Sequence, residues 1–146
     1  MQEILIHKLH EYIQENNPDL LLQLEEAGTV TDYLSDKINR EDVLVKQLDK
    51  EQPAYIIEEA CMNLLTQDLH PSKFLYVWTI LGVEFEERYQ QLCDSGALKF
   101  EVINLVSLCN PVFEDLNFKK ENEDSPFTRY AITGCIDEYF KTSTSE

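Results

Sequence analysis

The stretch that decides the fold reads LHPSKFLYVWTILGVEFEERYQQL and runs from Leu69 to Leu92. A polar opening leads into the most hydrophobic part of the chain, which ends in a cluster of acids. Spacings of three and four residues, the period of an α-helix, separate Phe74, Trp78, Leu81, Phe85, Tyr89 and Leu92. Further apolar residues occupy the other faces. The pattern therefore predicts a central hydrophobic helix over about residues 72–93, surrounded by other helices.

The rest of the chain has the same period and predicts an all-α fold. The 146 residues include only four glycines and five prolines, and these fall mostly where helices should begin or end. No Asn-Gly or Asp-Gly turn is present, and no sustained alternation typical of strands. We predict a compact multihelical bundle of about six to eight helices. It should form a single domain over residues 1–141, with a frayed tail at 142–146.

Proline and glycine give the expected helix boundaries in the first half. The first helix should run over Gln2–Asn16 and stop before Pro18, because a residue that precedes proline avoids the helical region. A short helix should begin at Pro18 and end at Gly28. The third should reach about Lys50, with a polar segment at 39–42 that interrupts or kinks it, and a fourth should begin after residue 52.

The second half predicts two more long helices. The sixth should run from about Ala97 to Cys109 and end at Pro111, since proline is disfavoured inside a helix. After a loop at 117–124, the last helix should begin at Pro126 and run to about Lys141. We expect its buried face to contain Phe127, Ala131, Cys135, Ile136, Tyr139 and Phe140.

The charge of the chain limits its partners. Acids outnumber bases by 28 to 12, a net charge of −16. The first 70 residues contribute −10 and the remainder −6, so the acidity is spread along the chain. Such a field repels phosphate backbones and anionic lipid surfaces, so we expect neither direct nucleic-acid binding nor membrane binding. No apolar run reaches the roughly 18 residues that span a bilayer. With four cysteines, no CxxC and no secretory signal, the chain is expected to be cytoplasmic with reduced thiols.

One group of ligand-capable residues lies on the first helix. Glu3, His7 and His10 share the face opposite the apolar one, and such residues on one face could hold a surface zinc ion. The simpler interpretation is a solvated polar face, because the sequence places no further ligand beside them. We predict no cofactor.

A second candidate site lies at the start of the central helix. His70, Ser72 and Lys73 form a polar cluster where the helix dipole favours an anion, so they are candidate ligand-binding residues. The simpler interpretation is a helix start that Ser72 caps. No GxSxG motif and no Gly-rich phosphate loop is present, and we assign no catalytic residue.

Two segments carry a family resemblance. LHPSKF, followed by Glu84 and Phe85, and HEYIQENNPDLLLQL, where a first helix stops at a Pro-x-Leu-Leu turn, resemble a small family of bacterial helical domains of unknown function. Members are carried by gut-type anaerobes, often on mobile elements. The resemblance covers roughly residues 1–92. It implies a compact multihelical fold and no particular chemistry.

Three functions remain open on the sequence. The leading hypothesis is a non-enzymatic, acidic helical domain that binds an unknown protein partner or a second copy of itself. The alternative is an acidic mimic of nucleic acid that blocks a DNA-binding protein. A small metal-dependent enzyme is the third, and nothing in the sequence supports it directly.

Overall fold

Eight α-helices and one short 3-10 helix make up the structure, a computed structural model that describes residues 2–46 and 52–144. No strand occurs in these ranges. The prediction of an all-α, multihelical fold with six to eight α-helices is confirmed. The chain divides into two compact units, Met1–His70 and Pro71–Glu146. Each unit is described by itself below, and the single domain over residues 1–141 stays a prediction.

The first unit contains α1 (Gln2–Asn16), α2 (Pro18–Ala27), α3 (Val30–Lys46), α4 (Ala54–Leu65) and the 3-10 helix Gln67–Leu69. α1 packs against the other three α-helices, and α3 also contacts α2 and α4. Gly28 ends α2 in the left-handed conformation with φ 68°, as predicted. The polar segment 39–42 does not interrupt α3, because it contains no glycine or proline. The predicted continuation to Lys50 lies outside the described residues.

The core of the first unit is built on one face of α1. Leu5, Leu9 and Ile13 follow the helical period and are almost completely buried. The remaining buried apolar side chains of this core are Leu21, Leu34, Ile38, Cys61, Leu65 and Leu69. The sequence placed Leu5, Leu9 and Ile13 on a shared face, and that prediction is confirmed.

The second unit contains α5 (Lys73–Glu84), α6 (Glu86–Ser95), α7 (Leu98–Asp115) and α8 (Pro126–Thr144). α7 contacts the other three helices, and α5 also contacts α6 and α8. Most of the buried side chains come from α5, α7 and α8: Phe74, Val77, Ile80, Leu81, Leu98, Val102, Leu105, Val106, Cys109, Phe113, Ile132, Ile136 and Phe140. None of the described helices is both long and apolar enough to cross a membrane.

We predicted one helix over residues 72–93, but the structure has two helices there, α5 and α6. Phe85, at φ −133° and ψ 50°, ends α5 and begins α6. Its N–H donates to the Leu81 carbonyl at 3.0 Å, and its carbonyl accepts from the Tyr89 N–H at 2.8 Å. Its ring packs edge to face on Phe140, with centroids 5.3 Å apart. α5 is also less enclosed than predicted, since Leu75 and Val83 are exposed.

The prediction that the sixth helix ends at Pro111 is wrong. α7 continues through this residue to Asp115 and keeps Pro111 inside the helix. The helix then carries Phe113 into the core, where its ring contacts Tyr76 and Phe118 at centroid distances of 6.1 and 4.9 Å. Burial of a phenylalanine side chain contributes about 1.5–3 kcal/mol, which offsets much of the roughly 3 kcal/mol that an internal proline costs.

The buried face of α8 matches the prediction at Ile136 and Phe140 and differs from it at the start of the helix. Thr128, Ile132, Ile136 and Phe140 repeat every four residues and face the core, whereas Phe127 is exposed. Phe127 lies one residue before Thr128, the first residue of this buried face, so its ring lies on the exposed side of the helix. α8 also continues past Lys141 to Thr144, into the predicted tail. Residues 145–146 lie outside the described part of the chain.

The loop before α8 is ordered by one side chain. Asn122 donates from Nδ2 to the carbonyls of Leu116 and Asn117, and its Oδ1 accepts from the Lys119 N–H at 2.8 Å. Asn117 takes a left-handed φ of 51°, which asparagine tolerates better than most residues. These bonds hold the segment from which Asp124 projects, beside the first turn of α8.

Candidate functional site

The three residues of the predicted anion site each have a partner within their own unit. His70 belongs to the first unit, where its Nε2 and the Tyr12 hydroxyl are joined by a 2.8 Å hydrogen bond. Burial raises the pKa of Tyr12, and a hydrogen bond with Thr66 partly opposes that rise. The Tyr12 hydroxyl therefore stays protonated at neutral pH and acts as a fixed hydrogen-bonding group.

Ser72 and Lys73 belong to the second unit. The Ser72 hydroxyl accepts from the Leu75 N–H at 3.1 Å, so its predicted role as the N-cap of α5 is confirmed. Lys73 Nζ donates to Asn110 Oδ1 at 2.7 Å and lies 5.4 Å from the centre of the Phe113 ring. Both side chains therefore hold parts of the unit together. A ligand site formed by His70, Ser72 and Lys73 stays a prediction.

We predict that His70→Ala leaves the protein folded and lowers the free energy of unfolding by about 1 kcal/mol, the net contribution of one hydrogen bond. Denaturant unfolding of His70→Ala, Tyr12→Phe and the double variant measures the coupling between the two groups. The matched control is His7→Ala, whose exposed imidazole pairs with Glu11 at 2.8 Å, and we expect a change within about 0.5 kcal/mol. A coupling near zero would contradict a structural role for the Tyr12–His70 bond.

The predicted zinc ligands are all on α1. His7 Nε2 lies 2.8 Å from Glu11 Oε1, one turn further along the helix. Among residues 2–46 and 52–144, no group of three or more His, Cys, Asp or Glu side chains is arranged to hold a metal ion. Metal binding by Glu3, His7 and His10 stays a prediction.

The four cysteines are free thiols. Burial raises the pKa of Cys61, and burial together with the neighbouring Cys135 thiol raises the pKa of Cys109 well above its usual range. A raised pKa keeps a thiol protonated, and the protonated form is a poor nucleophile. Cys61 and Cys109 therefore behave as small core residues.

A cavity of about 260 Å³ lies beside the first two turns of α8. We call it the α8 cavity, and its lining side chains are Glu84, Asp124, Pro126, Arg129, Tyr130 and Thr133. Arg129 Nη2 donates to Glu84 Oε1 at 3.1 Å across it. Asp124 is exposed and makes no ion pair within the described residues. The rim therefore offers one carboxylate that pairs with no cation of residues 2–46 and 52–144.

Two hydroxyl groups at or near this cavity lack hydrogen-bond partners within the described chain. Thr133 Oγ1 is buried and unpaired, whereas Thr66, Thr79 and Thr142 each donate to the carbonyl four residues earlier. The Tyr76 hydroxyl is also buried and unpaired. Burial raises the pKa of Tyr76. The positive charge of Arg129 lowers this pKa, and the negative charges of Asp124 and Glu123 raise it. A buried unpaired polar group costs about 1–3 kcal/mol, so each hydroxyl would gain from a hydrogen-bond partner.

A second, more open depression lies where α5 meets α6. We call it the acidic groove, and its lining side chains are Glu84, Phe85, Glu86, Glu87, Arg88, Gln91, Asp137 and Phe140. Its volume is about 580 Å³. Four of these residues are acids, and the single cation, Arg88, lies 4.5 Å from the centre of the Phe140 ring. Glu84 pairs with Arg129, and Asp137 pairs with Lys141 at 2.9 Å. The groove therefore presents a net negative surface on which two of the four acids already have a cation.

Sequence reasoning missed the α8 cavity. Its residues come from α5, the loop before α8 and α8 itself, so no local motif contains them. One signal was present: Phe127 and Tyr130 lie one turn apart on a helix whose apolar face is set by Ile132 and Ile136. A correct assignment of that face would have placed both aromatic rings in solvent.

Comparison of the chain with models of protein families, with curated proteins and with solved structures found no match.

Proposed function

We propose that this chain is a non-enzymatic, helical protein-interaction domain. The observation that supports it most directly is the strong exposure of four aromatic side chains, Tyr55, Phe100, Phe127 and Tyr130. An aromatic side chain buries a large apolar area when a partner covers it, and aromatic residues are enriched in protein interfaces. A partner that covers these rings would gain that free energy.

The charge favours a particular kind of partner. A net charge of −16 speeds association with basic proteins and opposes contact with phosphate backbones. We place the domain in the cytoplasm, a location that its four free thiols support. Membership of the bacterial family that the sequence resembles is part of the same proposal. A homodimer formed through one of these surfaces would belong to the same functional class.

Affinity capture from the cells that express the protein tests the proposal. We expect the full-length wild type to retain a partner in near-stoichiometric amount after a moderate-salt wash. A variant with serine at positions 55, 100, 127 and 130 should lose that partner and keep its helical circular dichroism, because exposed substitutions change stability little. Retention of the same partner by wild type and variant would contradict a role for the exposed rings. Absence of any partner would contradict the function itself.

The acidic groove favours a second candidate, a mimic of nucleic acid. Glu84, Glu86, Glu87 and Asp137 line one depression, and a row of carboxylates on one face is what imitation of a phosphate backbone requires. In that case the captured partners would be nucleic-acid-binding proteins. Added duplex DNA would displace them, and moderate salt would release them. Partners that stay bound in moderate salt and in the presence of duplex DNA would exclude the mimic.

A further inference from the structure

We propose that the α8 cavity binds the side chain of an arginine or lysine from a partner protein, while apolar neighbours of that residue rest on Phe127 and Tyr130. This inference rests on the proposed interaction function and names the surface and the chemistry of the partner. The cavity and both aromatic residues belong to the second unit, so a single compact part of the chain carries the whole site.

The size of the cavity favours a side chain over a whole small molecule. Small-molecule sites usually enclose about 300–1,000 Å³, and the α8 cavity, at about 260 Å³, lies below that range. An arginine or lysine inserts only its slender alkyl stem and cationic head, with its backbone left outside. Such a stem packs along apolar surface, here Pro126 and the ring of Tyr130.

The charges and polar atoms of the cavity match a cationic head. Its rim carries two carboxylates, Glu84 and Asp124, and one guanidinium, Arg129. Arg129 already forms an ion pair with Glu84, so Asp124 is the carboxylate available to an incoming cation. Thr133 Oγ1 is buried and unpaired, and rotation of the side chain about its Cα–Cβ bond would let it accept a hydrogen bond from an ammonium or guanidinium N–H. An arriving anion would meet Asp124 and Glu84 instead, so the start of α8 does not select an anion here.

The exposed aromatic rings supply the rest of the surface. Phe127 is 72% exposed and Tyr130 is 78% exposed, one helical turn apart on α8. Tyr130 also lines the cavity, so its ring can contact both the alkyl stem and the cation. An aromatic residue beside a charged pocket is a common anchor of protein interfaces. The partner segment is therefore a basic residue flanked by apolar ones.

Selection from a phage library of random peptides on the immobilised full-length protein tests this directly. We expect the enriched peptides to share an arginine or lysine next to an apolar residue. A synthetic peptide of the enriched sequence, labelled for fluorescence anisotropy, should bind at least about tenfold more tightly than the same peptide with citrulline or norleucine in place of the cation. Enriched peptides that lack a basic residue would overturn the proposal.

Three variants and two matched controls locate the binding site. Tyr130→Ala, Asp124→Asn and Thr133→Val should each weaken the peptide about tenfold, and Thr133→Val keeps the shape of the side chain. Leu108→Ala removes an exposed apolar side chain from α7, and Asp115→Asn removes an exposed acid there. Neither control lines the cavity, and both should bind like wild type. Equal affinity of all five variants would overturn the site.

The remaining outcomes separate this proposal from the general function. If wild type captures a cellular partner but the selected peptides bind the three cavity variants as tightly as wild type, the site is wrong and the interaction function stands. If neither capture nor selection succeeds, the function fails as well. A dimer in sedimentation that Tyr130→Ala dissociates would replace the foreign partner with a second copy of this chain. Binding of spermidine that depends on Asp124 and Thr133, with no peptide binding, would replace it with a free polyamine.

Discussion

Replacement of Phe113 with alanine is expected to lower the free energy of unfolding by about 3–5 kcal/mol. The side chain is 1% exposed and lies among Tyr76, Phe118 and the Lys73 ammonium. The truncation removes the ring and its buried apolar contacts, and leaves a cavity that the close-packed helices around it fill only in part. Denaturant titration followed by far-ultraviolet circular dichroism measures the loss.

Phe100→Ala is the matched control for this prediction. The two phenylalanines lie on the same helix, α7, but Phe100 is 73% exposed and belongs to no core cluster. Its removal should change the free energy of unfolding by no more than about 0.5 kcal/mol. Equal losses in the two variants would mean that the segment after Pro111 is not packed as described. The contrast therefore tests burial and not the mere loss of a ring.

Short-range signals explain which parts of the fold were predictable. Pro18 and Gly28 bound α2, and Gly96 ends α6 with a φ of 76°, because these residues have conformational preferences that neighbours rarely overrule. The N-cap of α5 was likewise predictable, since Ser72 bonds a backbone group three residues away. In each case the cause lies within a few residues of the effect.

Tertiary contacts explain the parts that were not predictable. Neither proline nor glycine stands at Phe85 itself, although Gly82 lies in the last turn of α5. The apolar spacing of three and four continues straight across the break. The packing of the Phe85 ring on Phe140, 55 residues further along the chain, accompanies the turn between the helices. A weak local signal existed, since Glu86 and Glu87 stand in the first turn of α6, where acids favour a helix start.

The same distinction applies to the candidate site. The predicted residues His70, Ser72 and Lys73 are neighbours in the chain, and a sequence motif can propose such a cluster. The α8 cavity combines Glu84 with Thr133, which are far apart in sequence. Only the packing of α5 against α8 brings them together. The chemistry of this site therefore becomes visible only once the fold is known.

Replacement of Pro111 with alanine is expected to raise the free energy of unfolding by about 2–3 kcal/mol. An internal proline costs a helix about 3 kcal/mol relative to alanine, because it lacks the N–H that would bond the carbonyl four residues earlier and its ring crowds that carbonyl. Pro111 is exposed, so its ring contributes little packing that would be lost. In α7 the missing bond is the one to the Ser107 carbonyl. Thermal and denaturant unfolding of Pro111→Ala measure the gain.

Ser107→Ala controls for a general gain in helix propensity on the same exposed side of α7. It keeps the proline and should change the free energy of unfolding by about 0.5 kcal/mol or less. A gain at Pro111 several times larger would show that the proline weakens α7 and that tertiary packing keeps the helix formed. Loss of stability in Pro111→Ala would contradict the prediction and would show instead that the proline backbone aims Phe113 into the core. In that case Phe113→Ala in the Pro111→Ala background should cost much less than the 3–5 kcal/mol or so expected alone, since the ring would already be misplaced.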